Sequence, residues 1–112
     1  MEIALKEARG VQIVVLAGKI MGSPEETRIS DTISGFIEQN KICVILDLSK
    51  VAWMNSRGLG MCLEGLTRLR NRGGDLRLVG LPTVVKSLME KCRILPLFQC
   101  YNSLAKAVDS FE

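Results

Sequence analysis

The chain has 112 residues, 47% apolar and 24% charged, with a net charge of +3. This is the composition of one soluble globular domain, long enough to bury a core without disulfide or metal staples. Fifteen Lys and Arg interleave with twelve acids without a basic run, and aromatic residues are limited to three Phe, one Trp and one Tyr. Both features argue against direct nucleic-acid binding.

There is no His, and the four Cys (Cys43, Cys62, Cys92 and Cys100) form no C-x-x-C pair. A metal site is therefore not expected, and the commonest general base is missing. Each Cys reads as a reduced thiol serving as a small core residue, which suits the cytoplasm. The opening Met1-Glu2-Ile3-Ala4-Leu5-Lys6 lacks the pattern of a secretory leader, and no apolar run approaches a membrane span. Without a P-loop or a closely spaced acidic pair on a turn, neither a cofactor nor a catalytic role is expected.

Ile3 to Glu7 and Val11 to Ala17 read as two strands of a hairpin turning at Arg9-Gly10. Gly18-Lys19-Ile20-Met21-Gly22 breaks the pattern. Ser23-Pro24-Glu25-Glu26 then reads as a helix start, with Ser23 as N-cap, Pro24 at N1 and Glu26 completing a capping box. The helix has an apolar face of Ile29, Ile33, Phe36 and Ile37, and Asn40 stops it.

Ile42 to Leu46 is a continuous apolar run, expected to be a central strand buried on both faces. A separate apolar patch, Val51-Ala52-Trp53-Met54, leads into Asn55-Ser56-Arg57-Gly58. The next helix, Arg57 to Arg72, has a core stripe of Leu59, Cys62, Leu63, Leu66 and Leu69. Arg57, Met61, Glu64, Arg68 and Arg72 fall on its other face. Gly58 and Gly60 weaken its first turn, which points to a close approach by backbone or by a partner.

Gly73-Gly74 closes this helix, and Leu76 to Val79 is a further central strand. A helix from Thr83 to Cys92 should turn Val85, Leu88, Met89 and Cys92 inward. A short extended stretch, Leu97 to Tyr101, precedes a last helix capped by Asn102 and carrying Leu104, Val108 and Phe111. Alternation after the first hairpin implies an α/β domain with parallel strands and right-handed crossovers.

Ser56 stands at the strand-to-helix joint. Its hydroxyl can cap the helix or accept a phosphate, since free N–H groups and the helix dipole accommodate an anion there.

Over essentially its full length the chain resembles the STAS domain, the fold of bacterial anti-sigma factor antagonists. The resemblance rests on Val44-Ile45-Leu46-Asp47-Leu48-Ser49-Lys50-Val51, on Asn55-Ser56-Arg57-Gly58-Leu59-Gly60 and on Gly73-Gly74-Asp75-Leu76-Arg77-Leu78-Val79. Leu97-Phe98, Tyr101-Asn102-Ser103 and a variant strand-to-helix loop, Gly18 to Glu25, add to it.

It implies a single domain over residues 1–112, with a mixed four- to five-stranded sheet and about four helices. It also implies a non-enzymatic, cytoplasmic regulator. When unphosphorylated, this regulator binds a protein that is both anti-sigma factor and serine kinase and so releases a sigma factor; phosphorylation of Ser56 inactivates it. A monomer is expected, without direct nucleic-acid or membrane binding.

The family usually reads Asp-Ser-Ser-Gly where this chain has Asn55-Ser56-Arg57-Gly58. Asn keeps the capping ability and removes a charge that would repel a phosphate, and Arg57 is able to pair with one. The expected docking patch comprises Met21, Gly22, Asn55, Ser56, Arg57, Gly58, Gly60, Met61 and Glu64. The alternative within the family is a non-phosphorylated scaffold or accessory subunit in a stress-sensing or lipid-transport complex. A small nucleotide-binding module or enzyme is the weakest reading.

Overall fold

The structure, a computed structural model, describes residues 1–22 and 25–112, with the side chains of Glu25 and Glu26 excepted. Five strands and four helices alternate along it. They are β1 (Glu2–Ala8), β2 (Val11–Ile20), α1 (Glu25–Glu38), β3 (Cys43–Met54), α2 (Ser56–Arg70), β4 (Asp75–Val79), α3 (Thr83–Lys91), β5 (Cys100–Tyr101) and α4 (Leu104–Asp109). A 3-10 turn, Leu95–Leu97, precedes β5. The expected capping box of Ser23, Pro24 and Glu26 lies outside the described residues.

The strands lie in sequence order, β1-β2-β3-β4-β5. β1 and β2 are antiparallel, and each later pair is parallel. Each parallel crossover steps the same way across the sheet, so the right-handed rule puts their helices on one face. Accordingly, Ile29 and Ile33 of α1, Leu59, Cys62, Leu66 and Leu69 of α2, and Val85 and Met89 of α3 form one core with Val14, Leu16, Val44 and Leu46. On the other face, Ala107 and Val108 of the short α4 cover Val11, Ile13, Val15, Ile45 and Val79. Because the winding never reverses, the strand ends do not form the crevice of a doubly wound sheet, and they meet solvent as a surface.

Several expectations change in this frame. β2 runs on through Gly18 and Lys19 to Ile20, and β3 is one strand of 12 residues where two apolar patches were expected. The cause is pairing: β2 and β3 hydrogen-bond past their register shifts out to Ile20↔Met54, whereas β3 and β4 part after Asp47↔Val79. Beyond that point Ser49, Lys50, Ala52 and Trp53 lack a neighbouring strand on the β4 side and are exposed.

The last helix is capped by Ser103, whose hydroxyl accepts from the Lys106 N–H, and Asn102 lies outside it. Of the four Cys only Cys62 is buried; Cys43 is half-buried and Cys92 and Cys100 are exposed. Cys92 falls at the C-cap of α3, past the turn that faces the core. Burial pushes the Cys62 thiol up to about 12, because an apolar interior disfavours the thiolate.

Candidate functional site

The β2–β3 ribbon extends beyond the rest of the sheet, and the expected site is built on its end. The polypeptide leaves β3 at Met54 and enters α2 at Ser56, with Asn55 between them in extended conformation. Asn55 ties three segments together. Its N–H donates to the Ile20 carbonyl at 3.2 Å. Its Oδ1 accepts from the Gly58 N–H at 3.0 Å, and its Nδ2 donates to the Met21 carbonyl at 2.9 Å. The first bond extends the β2–β3 ladder, the second caps α2, and the third fixes the backbone that leaves β2.

Asn55, then, is the N-cap, and of the roles open to Ser56 the capping one falls to its neighbour. Ser56 is the first residue of α2 and is exposed, so its hydroxyl is not committed to the cap. The physical reason is register: the cap lies one residue earlier, where a side-chain oxygen can reach the N–H three residues on. An exposed hydroxyl at the first helical position, beside N–H groups that lack intrahelical acceptors, is placed to carry an anion.

Gly58 explains how α2 comes so near the ribbon. It is buried, and a Cβ there would lie 2.9 Å from both Ile20 Cγ2 and Met54 Cγ and 3.0 Å from the Ile20 carbonyl oxygen. The close approach expected from its sequence position is made to β2 and β3, by the Ile20 and Met54 side chains and the Ile20 carbonyl. Gly60, two residues on, has open space where its Cβ would be. Gly22, with φ 112, lies under the Arg57 side chain, whose Cδ would be 3.4 Å from an added Cβ.

Met61 does not belong on the open face. It is only 6% exposed and packs into the core with Leu59 and Cys62. α1 lies against this side of α2, so the stripe facing the core is wider than the sequence spacing indicated. Gly58 and Gly22 are likewise buried, whereas Met21, Ser56, Arg57, Gly60 and Glu64 are exposed. A groove of about 450 Å³ runs between α1 and α2, bounded by Thr27, Ser30, Asp31, Arg57, Gly60, Met61 and Glu64. Arg68 spans the helices further along: it donates to Ser34 Oγ at 2.6 Å, and it lies 3.9 Å from Glu64.

Sequence reasoning missed two contributors. Trp53 is 44% exposed at the end of β3, close in sequence to Ser56, and with Met21 at 47% it adds apolar surface to this end of the molecule. The signal available was Trp53's place in the Lys50–Trp53 stretch, past the reach of β4. Thr27, Ser30 and Asp31 on α1 form the far wall of the groove; their three- and four-residue spacing marks one polar helix face.

Comparison with known proteins gives this geometry a context. Residues 2–107 match the STAS domain. BtrV of Bordetella bronchiseptica, provisionally named an anti-sigma factor antagonist, is 25% identical over 112 residues, spanning all of this chain and 96% of BtrV. The anti-sigma F factor antagonist of Paenibacillus polymyxa is 23% identical over 117 residues, again spanning all of this chain and 96% of the relative. Among solved structures, unphosphorylated SpoIIAA, an anti-sigma factor antagonist, superposes with a TM-score of 0.78 at 18% identity, covering 98% of this chain and 97% of that one. The five-stranded mixed sheet and four helices described above are thus shared with that structure. From the match over residues 2–107, the chain belongs to the STAS domain family.

Proposed function

We propose that the protein is an anti-sigma factor antagonist switched by phosphorylation of Ser56. In its unmodified form it binds a protein that is both anti-sigma factor and serine kinase, and so frees a sigma factor. Phosphate on Ser56 ends that binding. The protein works by partner exchange in the cytoplasm and catalyses no reaction itself. The names carried by the end-to-end relatives support this reading. So does SpoIIAA, a relative in fold, which has been solved in a phosphorylated form. Among the described residues no helix is long and apolar enough to cross a membrane.

The observation that carries the proposal is the division of labour at the joint. Asn55 makes the capping bond, leaving the exposed Ser56 hydroxyl available to a kinase. The proposed docking surface is Ser56 with Met21, Arg57, Gly60 and Glu64 around it, bordered by Trp53. Asn55, Gly58, Gly22 and Met61 shape it from beneath.

A phosphate brings about −1.5 to −2 charges at neutral pH. Within the protein the helix N-terminus accommodates it, so the fold should survive modification. Inside a packed contact the same charge must be desolvated. A penalty of a few kcal/mol weakens binding by orders of magnitude, at about 1.4 kcal/mol per tenfold.

The test is the affinity of a serine kinase/anti-sigma factor from the same host for the wild type, Ser56→Ala and Ser56→Asp. Ser56→Ala should bind like wild type and Ser56→Asp much more weakly. Equal affinities would refute the switch.

A further inference from the structure

β1 is an edge strand, paired with β2 on one side, and among the described residues no strand pairs its other side. Unpaired edges of this kind are templates for another strand. Leu5, in the middle of β1, is 56% exposed, the most exposed of the large apolar side chains.

The hairpin fixes which backbone groups point outward. β1 and β2 join through two residues, Arg9 (φ 50) and Gly10 (φ 78), and close on Ala8↔Val11. A two-residue turn of this hand closes on a pair that exchanges two hydrogen bonds, and such pairs alternate along an antiparallel ladder. Ala8, Lys6, Ala4 and Glu2 therefore bond inward to β2. Ile3, Leu5 and Glu7 present their N–H and C=O groups to the outside.

We infer that this edge pairs with β1 of a second copy of the chain, antiparallel and centred on Ala4, joining two five-stranded sheets. In that register the outward-bonding residues match, with Ile3 opposite Leu5 of the second copy. The charges match as well, since Glu2 lies opposite Lys6 in both symmetric positions. Opposite-charge and apolar pairs across strands are stabilising, and like charges are destabilising.

The other two-fold registers lack this agreement. One centred on Leu5 sets Ile3 against Glu7 and leaves Glu2 against Ala8. One centred on Ile3 sets Glu2 against Ala4, so Glu2 and Lys6 do not meet. Charged residues usually blunt an edge strand; here their four-residue separation selects a single pairing.

This pairing departs from the expectation of a monomer. That expectation looked for a long apolar stripe, and the feature that matters is a short self-complementary edge. The contact is small, below the roughly 1,200 Å² of stable complexes, so the dimer forms at high concentration. The two-fold runs the two β2–β3 ribbons in opposite directions. Ser56 follows β3, two strands in from the paired edge, so the inference does not depend on what Ser56 does.

Sedimentation velocity from micromolar to millimolar protein tests it. Wild type should pass from monomer to dimer. Glu2→Lys and Lys6→Glu should each dimerise about tenfold more weakly or worse, because each sets like charges opposite each other twice. An equimolar mixture of the two variants should form a heterodimer, since positions 2 and 6 are then cationic on one edge and anionic on the other. The double variant E2K/K6E should dimerise like wild type. The mixture also shows that each variant is folded and able to pair. A wild type that stays monomeric throughout, or a dimer that both single variants retain, would overturn the inference.

Discussion

Asn55 offers the sharpest mutational test of the site's construction, because its two amide ends do separate work. Oδ1 caps α2 through the Gly58 N–H, and Nδ2 holds the Met21 carbonyl. Ala removes both bonds. A lost N-cap costs about 1 kcal/mol and a lost neutral hydrogen bond about another 1 kcal/mol, so Asn55→Ala should destabilise by about 2 kcal/mol. Asp keeps the cap but has no donor when ionised, and it turns an oxygen toward the Met21 carbonyl. Its charge at the helix N-terminus recovers about 0.3–1 kcal/mol. Asn55→Asp should therefore fall between wild type and Asn55→Ala, with a loss of about 1 kcal/mol or less. For a domain of this size about 1 kcal/mol corresponds to about 4 °C in Tm. Urea titration followed by far-UV circular dichroism and by Trp53, the one tryptophan, resolves such differences. An Asn55→Ala variant within about 0.5 kcal/mol of wild type would refute the clamp, since that is the range of an ordinary surface change. Asn55→Asp as damaging as Asn55→Ala would refute the assignment of the cap to Oδ1.

Further predictions follow from the same geometry. Gly58→Ala should destabilise and shift the start of α2, because the new methyl meets the Ile20 backbone and side chain at 2.9–3.0 Å. Gly60→Ala meets nothing within 4 Å and should stabilise the fold by about 0.5–1 kcal/mol through helix propensity; on the proposed docking surface it should nonetheless weaken partner binding. Asp75 is 8% exposed and accepts from Arg70 Nε and Arg77 Nε, both at 2.9 Å. Asp75→Ala leaves the shielded Arg77 cation without its acid and should cost about 3 kcal/mol in urea titration, at the low end for a buried pair because Arg70 is half in solvent. The Cys62 thiol ordinarily titrates near 9.0 and is raised to about 12 in the fold. The folded state thus holds a proton that the unfolded chain releases. Its contribution to stability is complete below about pH 9 and lost as pH rises from there toward 12, so Cys62→Ala should flatten the fall in stability over that window.

The fold was legible because its periodicities are strong. The buried run from Val44 to Leu46 and the stripe from Leu59 to Leu69 each declared an element and its buried side. What sequence left open depended on pairing partners that local pattern does not show. β3 continues through the polar Ser49-Lys50 because β2 stays beside it. Met61 is buried because α1 packs on that side of α2. The strand–Ser–helix joint was legible in the sequence, and its internal wiring was not. Asn and Ser are equally good caps, and only the register of α2 decides that Asn55 takes the bond and leaves Ser56 exposed.

The central claim is that Ser56 carries the switch. The most direct measurement is phosphopeptide mass spectrometry on the protein isolated from its native host, comparing the free pool with the pool bound to a serine kinase/anti-sigma factor. The account predicts phosphate on Ser56 in the free pool and unmodified Ser56 in the bound pool. A Ser56 that remains unmodified in both pools, through growth and stress, would contradict it.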